Sequence, residues 1–176
     1  MAGRLTIHSS GDGHLLSGHS WIEYQPDGGD SVTYGTWGND PLGLGNGMHV
    51  DLEKGRSSDV ERTVQITDQQ EKKLIAKIEE YEKKGKDGWS ILHPCSAFAA
   101  DAWQAVTGEK LNDRSYGIIS NPSKLKESIE AANGKTTESA AKPSGSRPPS
   151  SQSPQRRASA SPDRSPVEAR KVRRVR

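Results

Sequence analysis

The chain contains one cysteine, Cys95, and five histidines, so the first chemistry to consider is a thiol nucleophile with a histidine base. Pro94 precedes this cysteine and an apolar pattern of helical spacing follows it, which predicts that Cys95 begins a helix. Unpaired backbone N–H groups and the helix dipole stabilise an anion at such a position, and the thiolate is the nucleophilic form of cysteine. The alternative is an inert cysteine buried in a core.

A cysteine nucleophile needs a base that takes its proton and later protonates the leaving group, and histidine is suited to both steps. His19 is the strongest candidate, because it lies in an expected strand after Gly18, and glycine lets another group approach closely. His93 is only two residues from Cys95, which disfavours a facing geometry. His8 and His14 are candidates to flank the site, and His49 follows a glycine-rich loop.

Strand patterns surround the candidate base. Residues 14–24, interrupted at Gly18, and residues 31–37 are separated by a strong turn sequence at 25–30, which predicts an antiparallel hairpin. Shorter strands are expected at residues 5–8, 48–52 and 61–66.

Three helices are expected after these strands. Thr67 and Gln70 form a capping-box pattern that opens the first helix, which ends at Gly85. The cysteine-bearing helix ends at Gly108, and a third runs from residue 121 to Ala132. Strands followed by helices predict an α+β fold.

Composition divides the 176 residues into two parts. All four Trp, all four Tyr and the single Phe lie in residues 1–133, which form the predicted domain. Residues 134–176 are rich in Ser, Pro and Arg and predict a disordered tail. The domain has 14 basic and 20 acidic residues, whereas the tail has 11 basic and 3 acidic residues.

The sequence also disfavours several classes of protein. No stretch approaches the roughly 18 apolar residues of a membrane span. The N-terminal residues lack the apolar region of a Sec signal peptide, so we expect a cytoplasmic protein or one exported by a specialised system. The glycine-rich loop at residues 38–47 matches neither common phosphate-binding motif. We expect no cofactor and no metal; the alternative, a metal site of His14, His19 and Cys95, has no recognised ligand spacing.

Two short motifs carry a resemblance to a known family. The segment Gly18-His19-Ser20-Trp21-Ile22 on a strand, followed by Pro94-Cys95-Ser96-Ala97-Phe98-Ala99 opening a helix, resembles the circularly permuted papain-like hydrolases. These are NlpC-type enzymes and relatives such as the lecithin-retinol acyltransferase group, in which the histidine precedes the cysteine. The resemblance covers residues 5–111, and Pro94 stands where asparagine is common in the family.

The resemblance implies a permuted papain-like fold and a third polar group that orients the histidine ring from the neighbouring strand. If the hairpin turns symmetrically about Asp27 and Gly28, Thr36 lies opposite His19 and shares its face of the sheet. Thr36 is therefore the predicted orienting residue, with Tyr34 and Asn39 as alternatives. A register shift of one residue would put Thr36 on the other face.

The resemblance implies cysteine-dependent cleavage of an amide bond in a peptide, an isopeptide or a peptidoglycan stem. Cys95 is the expected nucleophile, His19 the expected base, and the Cys95 backbone N–H an oxyanion donor. Small members without a signal sequence can resemble delivered bacterial toxins or effectors. One alternative is thioester or lipid acyl transfer on the same fold. Another is a non-catalytic protein whose basic tail binds nucleic acid or an anionic membrane.

Overall fold

The computed structural model describes residues 2–13 and 17–140, and for residues 136–140 it describes the backbone alone. These residues form an α+β fold with a five-stranded antiparallel sheet and three helices. His14 and residues 141–176 of the predicted tail lie outside the described residues.

The main sheet has the strand order β4-β3-β2-β1-β5, and all of its neighbouring strands are antiparallel. Its first two strands pair along their full length, from Gly3 with Pro26 to Ser10 with His19. All five expected strands are present, with shifted ends. They are β1 (Gly3–Ser10), β2 (His19–Pro26), β3 (Val32–Trp37), β4 (Gly47–Val50) and β5 (Val60–Ile66).

The first two helices begin and end at the residues that the capping patterns predict. Helix α1 (Asp68–Lys84) opens with the Thr67–Gln70 capping box, and Gly85 follows its end. Helix α2 (Cys95–Thr107) begins with Cys95, with Pro94 as its N-cap residue, and ends at Gly108 in the left-handed conformation (φ 77°). The prediction that Cys95 begins a helix is therefore confirmed.

The region after α2 differs from expectation in two ways. Helix α3 (Pro122–Ala140) does not stop at residues 133–134 but continues to Ala140, because the Asn133 side chain hydrogen-bonds to Arg62 and to the Glu61 carbonyl of β5 instead of ending the helix. A two-stranded hairpin, β6 (Arg114–Ser115) and β7 (Ile119–Ser120), precedes it, and its strands are too short to leave an alternating pattern. No helix among the described residues is long and apolar enough to cross a membrane.

The core lies between one face of the sheet and the helices. Alternate residues of the central strands, such as Leu5 and Ile7 of β1 and Ile22 of β2, are fully buried on this face. The helices contribute to the same cluster, with Phe98 and Trp103 of α2 among its largest members. Helix α2 is therefore fixed against β2, and its N-terminus is held at the end of the strand where His19 lies.

The register of the β2–β3 hairpin corrects one prediction. Tyr24 pairs with Val32 and Ile22 pairs with Tyr34, so the turn is centred on Gly28. Continuing this pairing sets His19 opposite Trp37 rather than Thr36. The prediction that Thr36 lies opposite His19 is wrong, because the turn is one residue longer than the symmetric turn assumed from the sequence.

Candidate active site

His19 and Cys95 meet at the end of the sheet. His19 is the first residue of β2 and Cys95 is the first residue of α2. The thiol lies close enough to the imidazole to raise the pKa of His19. Both line a cavity of about 360 Å³. Its other walls come from three segments, around Trp37 and Gly38, around Trp89 and Ile91, and around Ser120 and Pro122. The two candidates that lie 76 positions apart in the chain are thus brought together beside a space that a substrate can occupy.

The backbone around Cys95 suits a thiolate. Its side chain is 5% exposed, and its position at the start of α2 surrounds it with N–H groups that have no partner within the helix. The Pro94 carbonyl accepts hydrogen bonds from Ala97 and Phe98 and closes the first turn. Because the helix dipole points its positive end at this residue, negative charge on the sulfur is stabilised.

The residue that holds the His19 ring is Glu53. The His19 Nε2–H donates a hydrogen bond of 2.8 Å to Glu53 Oε1, and this leaves Nδ1 for the thiol. Glu53 follows β4 in a turn and is only 1% exposed. The hydrogen bond fixes the ring's tautomer and orientation, as a carboxylate does in other nucleophile–histidine pairs. The three side chains therefore form a Cys95–His19–Glu53 triad.

Three donors satisfy the buried carboxylate. Besides His19, the Trp37 indole donates to Oε1 over 2.6 Å, and the Thr33 hydroxyl donates to Oε2 over 3.2 Å. Gly35 lies beneath the carboxylate, where a Cβ atom would collide with Glu53 Oε1. A buried charge is tolerated when it is paired and hydrogen-bonded in this way.

The triad extends from one face of the sheet to the other. Thr33, Gly35 and Trp37 alternate with the core-facing residues of β3, so they lie on the face opposite the helices, and Glu53 packs there. Cys95 approaches from the helical face, because α2 packs against β2 on that side. His19 lies at the very end of β2, where its ring can contact both groups.

The charges of the pair are mutually supported. Burial lowers the pKa of His19, but hydrogen bonds and charge interactions with Cys95 and Glu53 raise it more, so its pKa lies above the ordinary value of 6.5. Burial raises the pKa of Glu53, but its contacts with His19, Trp37 and Thr33 lower it by more, so the pKa lies below the ordinary value of 4.5. Both shifts favour a charged imidazolium beside a charged carboxylate.

Two aromatic rings lie against the His19 imidazole. The Trp37 ring lies 4.1 Å from the His19 ring, centroid to centroid, and the Trp21 ring stacks at 5.8 Å. The Arg56 guanidinium lies 5.8 Å from each indole centroid. These contacts restrict rotation of the His19 side chain.

The remaining candidates occupy other places. Thr36 lines the cavity but has no hydrogen-bond partner for its hydroxyl, while Asn39 lines the cavity and Tyr34 packs against the core. His8 stacks on Trp21 and bonds to Ser58, His49 donates to the Gly45 carbonyl, and His93 is exposed.

Glu53 was not among the residues that sequence patterns selected. It follows a short strand in a polar turn, and nothing in the local sequence distinguishes it from neighbouring acidic residues. The one indirect sign is Gly35, because a glycine inside a strand often marks the close approach of another group.

Within residues 2–13 and 17–140, no three His, Cys, Asp or Glu side chains are grouped so that they could hold a metal ion. His14, the third member of the alternative metal site, lies outside the described residues.

Comparison of the chain with protein-family models, curated proteins and solved structures finds no match. Function is therefore inferred from the chemistry of the site.

Proposed function

We propose that the protein is a cysteine-dependent hydrolase that cleaves an amide bond through Cys95, His19 and Glu53, on a permuted papain-like arrangement. The observation that carries this proposal is that the His19 imidazole is hydrogen-bonded to a buried carboxylate and lies beside the Cys95 thiol, at a cavity that both His19 and Cys95 line. Nucleophile, base and orienting group in this order are the parts that covalent acyl transfer needs.

The chemistry follows from the positions of the atoms. The Cys95 thiolate attacks the carbonyl carbon, and the Cys95 backbone N–H hydrogen-bonds the developing oxyanion. The His19 imidazolium donates its proton to the leaving nitrogen as the C–N bond breaks, leaving a thioester. Water then attacks the thioester while neutral His19 takes the water's proton. The acid leaves, and the thiolate–imidazolium pair is restored.

One feature favours amides over thioesters as the bond that is cleaved. An amine is a poor leaving group unless it is protonated, whereas a thiolate leaves without a proton. Cys95 and Glu53 raise the pKa of His19, and this favours the protonated imidazole that the leaving nitrogen needs as a proton donor. Thioester or lipid acyl transfer on the same site is the second candidate, since its first step needs the same thiolate.

The proposal is tested by the rate at which iodoacetamide alkylates Cys95 in the folded protein at pH 7, followed by intact mass. We expect labelling faster than that of free cysteine, and a loss of about tenfold or more in His19→Ala, because the thiolate loses its cationic partner. His49→Ala is the matched control and should label like the wild type, since His49 bonds only to the Gly45 carbonyl. Labelling that requires unfolding would identify Cys95 as an inert buried residue and refute the proposal.

A further inference from the structure

Trp37 contacts both members of the His19–Glu53 pair. Its ring lies 4.1 Å from the imidazole, centroid to centroid, and its indole N–H donates a hydrogen bond of 2.6 Å to Glu53 Oε1. Continuing the pairing of β2 with β3 sets Trp37 opposite His19, so the strand register brings the two rings together. Proton transfer between His19 and Cys95 does not itself require this side chain, and its contacts therefore call for a separate explanation.

The two carboxylate oxygens of Glu53 are held by different donors. Oε1 accepts from the His19 Nε2–H and from the Trp37 indole, whereas Oε2 accepts from the Thr33 hydroxyl over a longer distance of 3.2 Å. Thr33 and Trp37 lie four positions apart on one face of β3, and Gly35 between them leaves the space that the carboxylate occupies. One face of a single strand therefore fixes which oxygen is directed at His19.

The indole N–H differs from the other donor to Oε1 because it does not titrate. In the proposed reaction His19 alternates between imidazolium and imidazole, so the hydrogen bond that it donates to Glu53 is charge-assisted in only one of the two states. The terminal torsion of a glutamate side chain has broad minima, and a changing donor alone holds the carboxylate weakly. A second donor of constant charge keeps Oε1 directed at His19 in both states.

We propose that Trp37 is a positioning residue, which holds Glu53 Oε1 toward His19 and thereby keeps His19 Nδ1 directed at Cys95 throughout the reaction. This inference rests on the proposed function, because the ring of His19 needs a constant orientation only if it serves Cys95. The indole bond also contributes to the lowered pKa of Glu53, so without it the carboxylate takes up a proton at a higher pH.

The test removes the indole N–H and measures how fast iodoacetamide alkylates Cys95 in the full-length protein between pH 4 and pH 8. Trp37→Phe retains an aromatic ring beside His19 but loses the bond to Glu53. We expect labelling at pH 7 to slow about threefold or more, because one of the two donors to Oε1 is lost. The acid side of the pH profile should move to higher pH by about half a unit or more, since Glu53 is protonated sooner.

Trp103→Phe is the matched control. Trp103 also donates its indole N–H to a carboxylate, Glu109 Oε2 at 2.9 Å, and it is fully buried in the core. This variant should lose stability without shifting the pH profile of Cys95 labelling. A second variant keeps the packing at position 37: 3-benzothienylalanine has the shape of tryptophan without the N–H, and it should reproduce both effects of Trp37→Phe.

A second background assigns the pH shift to the charge of Glu53. When Glu53→Gln is already present, adding Trp37→Phe should leave the acid side of the profile where it was, because the group whose titration the indole influences is gone. An equal shift in both backgrounds, or slower labelling without any shift, would make Trp37 a structural residue only and refute the inference.

The outcomes separate this inference from the proposed function. Failure of iodoacetamide to label the folded wild-type protein refutes the proposed function, and the inference falls with it. If wild-type labelling depends on His19 but the rate and the pH profile are unchanged in both variants at position 37, the inference alone is refuted.

Discussion

At the scale of single residues, the charge of Glu53 can be removed without removing its hydrogen bonds. Oε1 accepts from His19 and Trp37, and Oε2 accepts from Thr33. A glutamine side chain can accept the first two bonds with its oxygen and donate from its amide to the Thr33 hydroxyl. Glu53→Gln therefore changes the electrostatics of the site while retaining its shape.

The first prediction concerns this variant. Loss of the carboxylate lowers the pKa of His19, so the thiolate–imidazolium pair is less populated at neutral pH. We expect turnover to fall by at least about 100-fold, since an amide in place of the partner carboxylate costs about 10⁴ in a Ser-His-Asp triad. Iodoacetamide labelling at pH 7 should slow as well, while circular dichroism stays that of the wild type. Unchanged turnover would mean that Glu53 has a structural role only.

The second prediction concerns stability and pH. The pKa of Glu53 lies below 4.5, so its ionised form stabilises the folded state above that pH, and this contribution is lost as the pH falls through the depressed pKa. The difference in free energy of unfolding between wild type and Glu53→Gln should therefore shrink from pH 6 to pH 3 in urea titrations. The raised pKa of His19 acts in the opposite direction, since its contribution is present below pH 6.5 and is lost at higher pH. A difference that stays constant to pH 3 would contradict the assignment of a charged, buried Glu53.

At the scale of secondary-structure elements, β3 makes room for the carboxylate at Gly35. A methyl group there would collide with Glu53 Oε1, and Gly35 does not have the positive φ that would make alanine unfavourable for backbone reasons. The absence of a side chain at Gly35 therefore leaves the space that the Glu53 carboxylate occupies.

The third prediction follows from that space. Gly35→Ala should displace the carboxylate, slow the labelling of Cys95 and destabilise the fold by roughly 1–3 kcal/mol, as overpacking does elsewhere. Gly134→Ala in α3 is the matched control, because nothing lies near its added Cβ and alanine favours a helix by up to about 1 kcal/mol. Gly35→Ala should lower both the melting temperature and the labelling rate of Cys95. Gly134→Ala should raise the melting temperature slightly and leave the labelling rate unchanged. If Gly35→Ala changed stability and labelling no more than Gly134→Ala does, the Glu53 carboxylate would not need the space over Gly35.

The two halves of the site differed in how well the sequence predicted them. Cys95 at a helix start and His19 near a strand start follow from local patterns, a proline before an apolar helix and a glycine before a strand, and both were found. Glu53 depends on a turn folding back over β3, which is a tertiary contact that no local pattern encodes. Thr36 failed as the orienting residue because turn length sets register, and one residue in the turn exchanged the two faces of β3.

At the scale of the whole molecule, α3 contributes to the core, whereas the segment after it is basic and has no aromatic residue. Leu125 and Ile129 of α3 are fully buried against the sheet. The compact unit ends at Lys142. The remaining residues, Pro143–Arg176, have nine Lys and Arg, two Asp and Glu, and no aromatic residue. Stability and any attraction to polyanions are therefore expected to depend on different parts of the chain.

The fourth prediction separates those two parts by truncation. Ending the chain after Lys142 removes little apolar surface but changes the formal net charge from +2 to −5. We expect the melting temperature and the labelling rate of Cys95 to stay close to those of the full chain, while retention on heparin is lost. In the full chain that retention should weaken with salt, because it depends on exposed charges that are screened beyond about 10 Å at 0.1 M ionic strength. As the control, ending the chain after Ser123 removes Leu125 and Ile129 and should abolish cooperative unfolding, since two fully buried side chains and a whole helix are lost. A large fall in melting temperature for the first truncation would show instead that residues 143–176 contribute to the stability of the domain.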